Sequence, residues 1–203
     1  MPEPYLIPEK FHRIETEVAR SRFIASVSFT PSVDDAKAFL AQIRAEMPDA
    51  SHHVYAFRVG YGGSVIEGMS DDGEPAGTAG PPVLAVLRGS KIGDVSIVVT
   101  RYFGGTKLGT GGLVRSYSEA AHIAFNSLPT VLKIEKRLLG MDIPYNLYNQ
   151  VKLLIESHHG ALEEEIFEAE ITLMVHFALA DIAPFSDALR DLSHGKVAPV
   201  ELD

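Results

Sequence analysis

Apolar and polar positions alternate from Phe11 to Phe29, most clearly at Phe23, Ala25, Val27 and Phe29, so this stretch predicts strands. Thr30-Pro31-Ser32 punctuates the chain. Ala36, Phe39, Leu40 and Ile43 then share one face of a helix over residues 33–47, which Pro48 ends. Residues 53–59 alternate again, and Tyr61-Gly62-Gly63 turns that strand into a short partner over 64–69. Residues 70–80 have no periodicity and read as an ordered loop. Pro81 and Pro82 suit a first helical turn, and an apolar helix follows as far as Gly89. The β-branched run 94–100 is a buried strand, while Leu113, Tyr117, Ala120, Ala121, Ala124 and Leu128 mark a long helix closed by Pro129.

The remainder scans as strand 138–145, helix 147–159, strands 161–167 and 171–179, a helix marked by Phe185, Leu189 and Leu192, and strand 197–202. This β-α-β-β-α-β order predicts a ferredoxin-like plait. Charge changes along the way. Residues 1–132 carry 12 basic and 14 acidic side chains, whereas 133–203 carry 6 and 13, so the expected domains are 1–132 and 133–203. A net charge of −9 excludes a protein that coats nucleic acid by bulk electrostatics, but a local basic site on the first domain fits. The absence of cysteine excludes disulfides, thiolate nucleophiles and cysteine-ligated metals. The polar, proline-broken N-terminus is not a signal peptide, and no apolar run approaches the ~18–20 residues of a membrane helix. A cytoplasmic protein with no membrane contact is expected.

The sharpest candidate chemistry is an internal echo. Gly77-Thr78-Ala79-Gly80 and Gly109-Thr110-Gly111-Gly112 share G-T-x-G, and each precedes a predicted helix. Helix N-termini present unpaired N–H groups and a positive dipole end, and glycines let an anion approach the backbone. Gly104 and Gly105 lie just ahead of the second segment, with Arg101, Lys107 and Arg115 supplying full charge around it. These residues predict an anion-binding face; read structurally, the same glycines allow tight turns and close packing. The spacing fits neither a P-loop nor a dinucleotide fingerprint, because Lys107 precedes Gly109 instead of following a glycine. Asp71, Asp72 and Glu74 can hold Mg²⁺ beside a phosphate or act as acid/base groups, although Asp-Asp-Gly is also favoured turn chemistry. His52 and His53 point to opposite faces of a strand, so only one of them, with His53 the candidate, can join such a site. No metal site, cofactor or catalytic group is assigned.

SDDGEPAGTAG (70–80), followed by VVTRYFGGTKLGTGGLVRSYSEA (98–120), resembles the YigZ/IMPACT family, as do His52–Phe57 and Ser21–Ala25. The resemblance implies an α+β protein. Its N-terminal domain would have the fold of the second domain of the ribosomal small-subunit protein five, and its C-terminal domain would be a ferredoxin-like, elongation-factor-G-like plait. It carries over onto Asp71, Asp72, Glu74, Gly77, Thr78, Gly80, Arg101, Gly104, Gly105, Gly109, Thr110, Gly111, Gly112 and Arg115. Val54 stands where relatives often have cysteine, and Pro81 where a basic or polar residue is common. The resemblance implies a translation-associated regulatory protein that contacts RNA, the ribosome or a protein of the translation machinery through the glycine-rich face. The alternative is an enzyme acting on a small phosphorylated metabolite or nucleotide at the same face.

Overall fold

Ahead of the alternating run lies a short strand, β1 (Tyr5–Pro8); the run itself forms β2 (His12–Val18) and β3 (Ser21–Phe29), an antiparallel pair. Helix α1 (Val33–Glu46) starts where Ser32 Oγ accepts from the Asp35 backbone N–H, satisfying one orphan donor of the first turn. Strands β4 (His52–Val59) and β5 (Ile66–Ser70), helix α2 (Gly80–Gly89), strand β6 (Val95–Tyr102), helix α3 (Gly109–Ser127) and strand β7 (Thr130–Lys133) follow. This is a computed structural model describing residues 4–202, which divide into two compact units between Lys133 and Ile134.

In the first unit, five antiparallel strands form a sheet in the order β2-β3-β6-β4-β5. Both faces are covered. Helices α2 and α3 bury Leu87, Tyr117 and Ala121 against Phe23, Val54, Ile97 and Val99, while α1 packs Phe39 and Ile43 over Ile24 and Val98 on the other side. Central β6 is buried from Val95 to Arg101, which explains its β-branched sequence, in which even Ser96 and Thr100 lie inside. Strands β1 and β7 form a separate two-stranded sheet that the sequence pattern did not anticipate. Its anchor is tertiary. Buried Asp94 accepts from Gly60 N (2.7 Å), from Tyr5 Oη (2.7 Å) and from Lys133 Nζ, joining both short strands to the loop before β6.

The second unit contains β8 (Lys136–Ile143), a one-turn 3₁₀ helix (Tyr145–Leu147), α4 (Tyr148–Ser157), β9 (Ala161–Phe167), β10 (Ile171–Ala178), α5 (Leu179–Ser193) and β11 (Val200–Leu202). Its antiparallel sheet has the order β11-β8-β10-β9, the plait expected from the sequence. Leu139, Leu173, Val175 and Phe177 face Val151, Phe185 and Leu189 in its core, and the Phe177 and Phe185 rings stack at 4.2 Å. Among the described residues no helix is long and apolar enough to cross a membrane.

Candidate functional site

The two G-T-x-G segments do open helices, but they differ in what meets their N–H groups. At α2, the Asp71 carboxylate fills the position of an anion. Its Oδ2 accepts from Gly77 N (2.8 Å), and its Oδ1 accepts from Ala79 N (2.9 Å) and Gly80 N (2.8 Å). Burial alone would raise the Asp71 pKa, but these three backbone donors outweigh it and hold the carboxyl below its ordinary range. Thr78 is buried and donates its hydroxyl to Pro75 O (2.7 Å). The first helix start, with Gly77, Thr78 and Gly80, is therefore occupied by the chain itself, which corrects the expectation that both starts form the ligand face.

At α3 there is no such group. The helix begins at Gly109 with no side-chain cap and no acidic residue in its first turn. Gly109 has φ +69°, a left-handed backbone that admits the turn into Thr110, Gly111 and Gly112. Gly104 serves a different purpose. A Cβ there would lie 2.0 Å from the Arg20 carbonyl carbon, so the 103–105 turn packs directly on the β2–β3 hairpin. Ser21 Oγ also accepts from Gly104 N at 3.1 Å. Gly105, with φ +85°, faces open space. Lys107 and Arg115 are exposed, and neither forms an ion pair with a described residue. The start of α3 borders a recess of about 350 Å³ lined by Glu74, Pro75, Arg101, Phe103, Lys107, Leu108, Gly109, Thr110 and Leu113.

Arg101 occupies the floor of this recess, not its rim. It is 5% exposed, its guanidinium lies between the Phe23 and Phe103 rings, and Nη1 donates to Glu74 Oε1 at 2.6 Å. The sequence predicts that Arg101 supplies full charge to a phosphate; in the fold that charge is paired with Glu74. The same Glu74 oxygen accepts from Tyr117 Oη at 2.8 Å, and His52 Nε2 stands 3.8 Å from it. Burial, followed by the nearby Glu74 charge, drives the Tyr117 pKa upward and keeps its hydroxyl a donor. Sequence alone gave no sign of this pairing, because Tyr117 reads as one more residue of an apolar helix face.

The three clustered carboxylates go separate ways. Asp71 caps α2. Asp72, at φ +46°, accepts from Arg44 Nη2 (2.5 Å) and His53 N (2.6 Å), and Glu74 turns inward. Among the described residues no group of three or more His, Asp or Glu side chains is placed to hold a metal ion, and these three carboxylates are directed to different partners. His53 is buried with Nδ1 3.2 Å from Thr100 Oγ1, and it does not line the recess. Burial lowers its pKa, leaving it a neutral packed side chain and not an acid/base group of this site.

Residues 19–125 match the Impact N-terminal domain, and residues 141–196 match a domain of unknown function, DUF1949. An IMPACT family member of Haemophilus influenzae is 39% identical over 95% of this chain and 94% of its own length. The IMPACT family member YigZ of Escherichia coli is 39% identical over 96% of each chain. Protein IMPACT of Rattus norvegicus is 30% identical over 53% of this chain and 35% of its own length. A crystal structure of a hypothetical protein superposes with a TM-score of 0.70 at 37% identity, covering 100% of this chain and 99% of the other.

Proposed function

The chain belongs to the IMPACT family, and on that footing we propose that it is a translation-associated binding protein that contacts RNA or the ribosome at the start of α3. One observation carries this reading: of two helix starts with the same G-T-x-G sequence, one is filled by the chain's own carboxylate and the other is open beside unpaired Lys107. The two segments lie in different registers, since α2 begins at the last residue of its segment, Gly80, and α3 at the first, Gly109. The α3 start offers its own first-turn N–H groups to a phosphate, a contact that positions a nucleic acid without reading its sequence.

Co-sedimentation with ribosomes across a salt series tests the reading. Lys107→Glu and Arg115→Ala should reduce retention and flatten its salt dependence, each lost phosphate contact removing about one from the logarithmic slope. Both side chains are exposed, so these variants keep the fold, whereas truncating Arg101 would disturb a buried pair. Retention unchanged in both variants refutes the α3 face. A second reading, turnover of a small phosphorylated metabolite, is favoured by a buried carboxylate, Glu74, in the recess. A phosphate-release or nucleotide-hydrolysis assay that shows no turnover dismisses it.

A further inference from the structure

The recess offers more than a helix start. Glu74 has only 3% of its side chain exposed; Arg101 and Tyr117 both bind its Oε1, while its Oε2 has no hydrogen-bond partner among the described residues. Arg101, with 6% of its side chain exposed, has an Nε with no partner. A carboxylate held by a guanidinium accepts hydrogen bonds and donates none, so a ligand that reaches Oε2 must bring an O–H or N–H. At the mouth, the free N–H groups of α3 and the Lys107 ammonium favour an anion. Between floor and mouth the wall is apolar, and Phe103 presents a half-exposed ring backed by the Arg101 guanidinium 5.6 Å from its centroid.

An anion, a hydroxyl donor and a flat aromatic face occur together in a ribonucleotide. A volume of about 350 Å³ is at the small end of ligand cavities, enough for one nucleotide and not for a strand. Resting on the reading of the α3 start as a phosphate site, we propose that the recess binds a single ribonucleoside 5′-monophosphate unit, free or as the 5′ end of an RNA. The phosphate sits at the free N–H groups of Gly109–Gly111 and at Lys107, the base stacks on Phe103, and the ribose 2′-hydroxyl donates to Glu74 Oε2. A deoxyribonucleotide lacks the hydroxyl for that contact, so the site favours RNA over DNA.

Fluorescence anisotropy with a 3′-labelled single-stranded RNA octamer tests this. The 5′-phosphorylated RNA should bind at least about tenfold more tightly than both its 5′-hydroxyl form and the 5′-phosphorylated DNA of the same sequence. Phe103→Ala, a change at a half-exposed side chain, should weaken RNA binding roughly 5- to 100-fold. Competition by adenosine 5′-monophosphate but not by its 2′-deoxy form assigns free nucleotides as ligands; tight binding of the phosphorylated octamer without such competition assigns the RNA end. Glu74→Gln should narrow the difference between RNA and DNA. If that variant does not fold, the comparison of RNA with DNA on the unaltered protein decides the matter. Equal binding of RNA and DNA, or indifference to Phe103→Ala, overturns the proposal. It does so without touching the phosphate-face reading if Lys107→Glu still lowers ribosome retention; if ribosome retention is also indifferent to Lys107→Glu, both fall.

Discussion

Replacing Arg101 by methionine removes the guanidinium while keeping most of the packing against Phe23 and Phe103. What remains is Glu74, 3% exposed at its side chain, with the Tyr117 hydroxyl bonded to it and His52 Nε2 3.8 Å away, but no guanidinium to compensate its charge. Breaking a buried pair by removing one partner costs about 3–5 kcal/mol, because the other charge stays out of water uncompensated. With a urea m-value of about 2 kcal/mol/M, a loss of ~4 kcal/mol moves the midpoint down by about 2 M. Five of the seven tyrosines precede residue 133, so intrinsic tyrosine fluorescence reports mainly on the unit that is perturbed. Replacing all three partners, Glu74→Leu with Arg101→Met and Tyr117→Phe, leaves no buried charge or hydroxyl unpaired, and such exchanges are often neutral or stabilising. The triple variant should therefore recover most of the lost stability. A single-variant shift below about 0.5 M, or a triple variant weaker than Arg101→Met alone, refutes the account of Arg101 as a buried structural partner of Glu74.

Further outcomes follow from the same structure. Asp71→Ala leaves three backbone donors of the α2 start without their carboxylate and should cost about 2–3 kcal/mol at pH 7 by urea unfolding. The Asp71 pKa is depressed by folding, so its stabilisation is complete above the unfolded value near 3.9 and is lost as pH falls below it. The deficit of the variant should accordingly shrink at pH 3. Gly104→Ala places a methyl group against the Arg20 and Ser21 backbone, with no flexible side chain to give way, and should cost about 3 kcal/mol, read as a lowered melting temperature. Burial lowers the His53 pKa, so its unfolded form takes up a proton first; His53→Gln should flatten the stability loss as pH falls below about 6.5.

Sequence reading succeeded where one local signal decides the structure. The periodicity of Phe39, Leu40 and Ile43 with Ser32 ahead of it marks α1, and the β-branched run 94–100 marks β6 as a buried strand. It failed where tertiary contacts decide. Strands β1 and β7 are four residues each and are anchored by buried Asp94, far from either strand in sequence. The start of α3 lies at Gly109, earlier than the apolar pattern implies, because glycines carry no periodicity. At the site, the glycine segments were legible as segments that approach something closely. Which side chain meets them was not, since Asp71 and Arg101 look alike on paper as charges near glycines. Only the fold turns one onto the backbone of α2 and the other beneath Phe103.

Asp71 can be viewed as a tethered ligand. A short linker supplies its carboxylate to the α2 start at an effective concentration in the millimolar range or above, so occupancy there needs no exceptional intrinsic affinity. Cutting the tether chemically, with Asp71→Gly, vacates the position while leaving the backbone donors in place. Acetate or phosphate added to the buffer should then restore the variant's stability in a dose-dependent way, and the half-saturating concentration gives the intrinsic anion affinity of the α2 start. At α3 no carboxylate is tethered, so its ligand must arrive from solution and gain affinity from Lys107, Phe103 and Glu74.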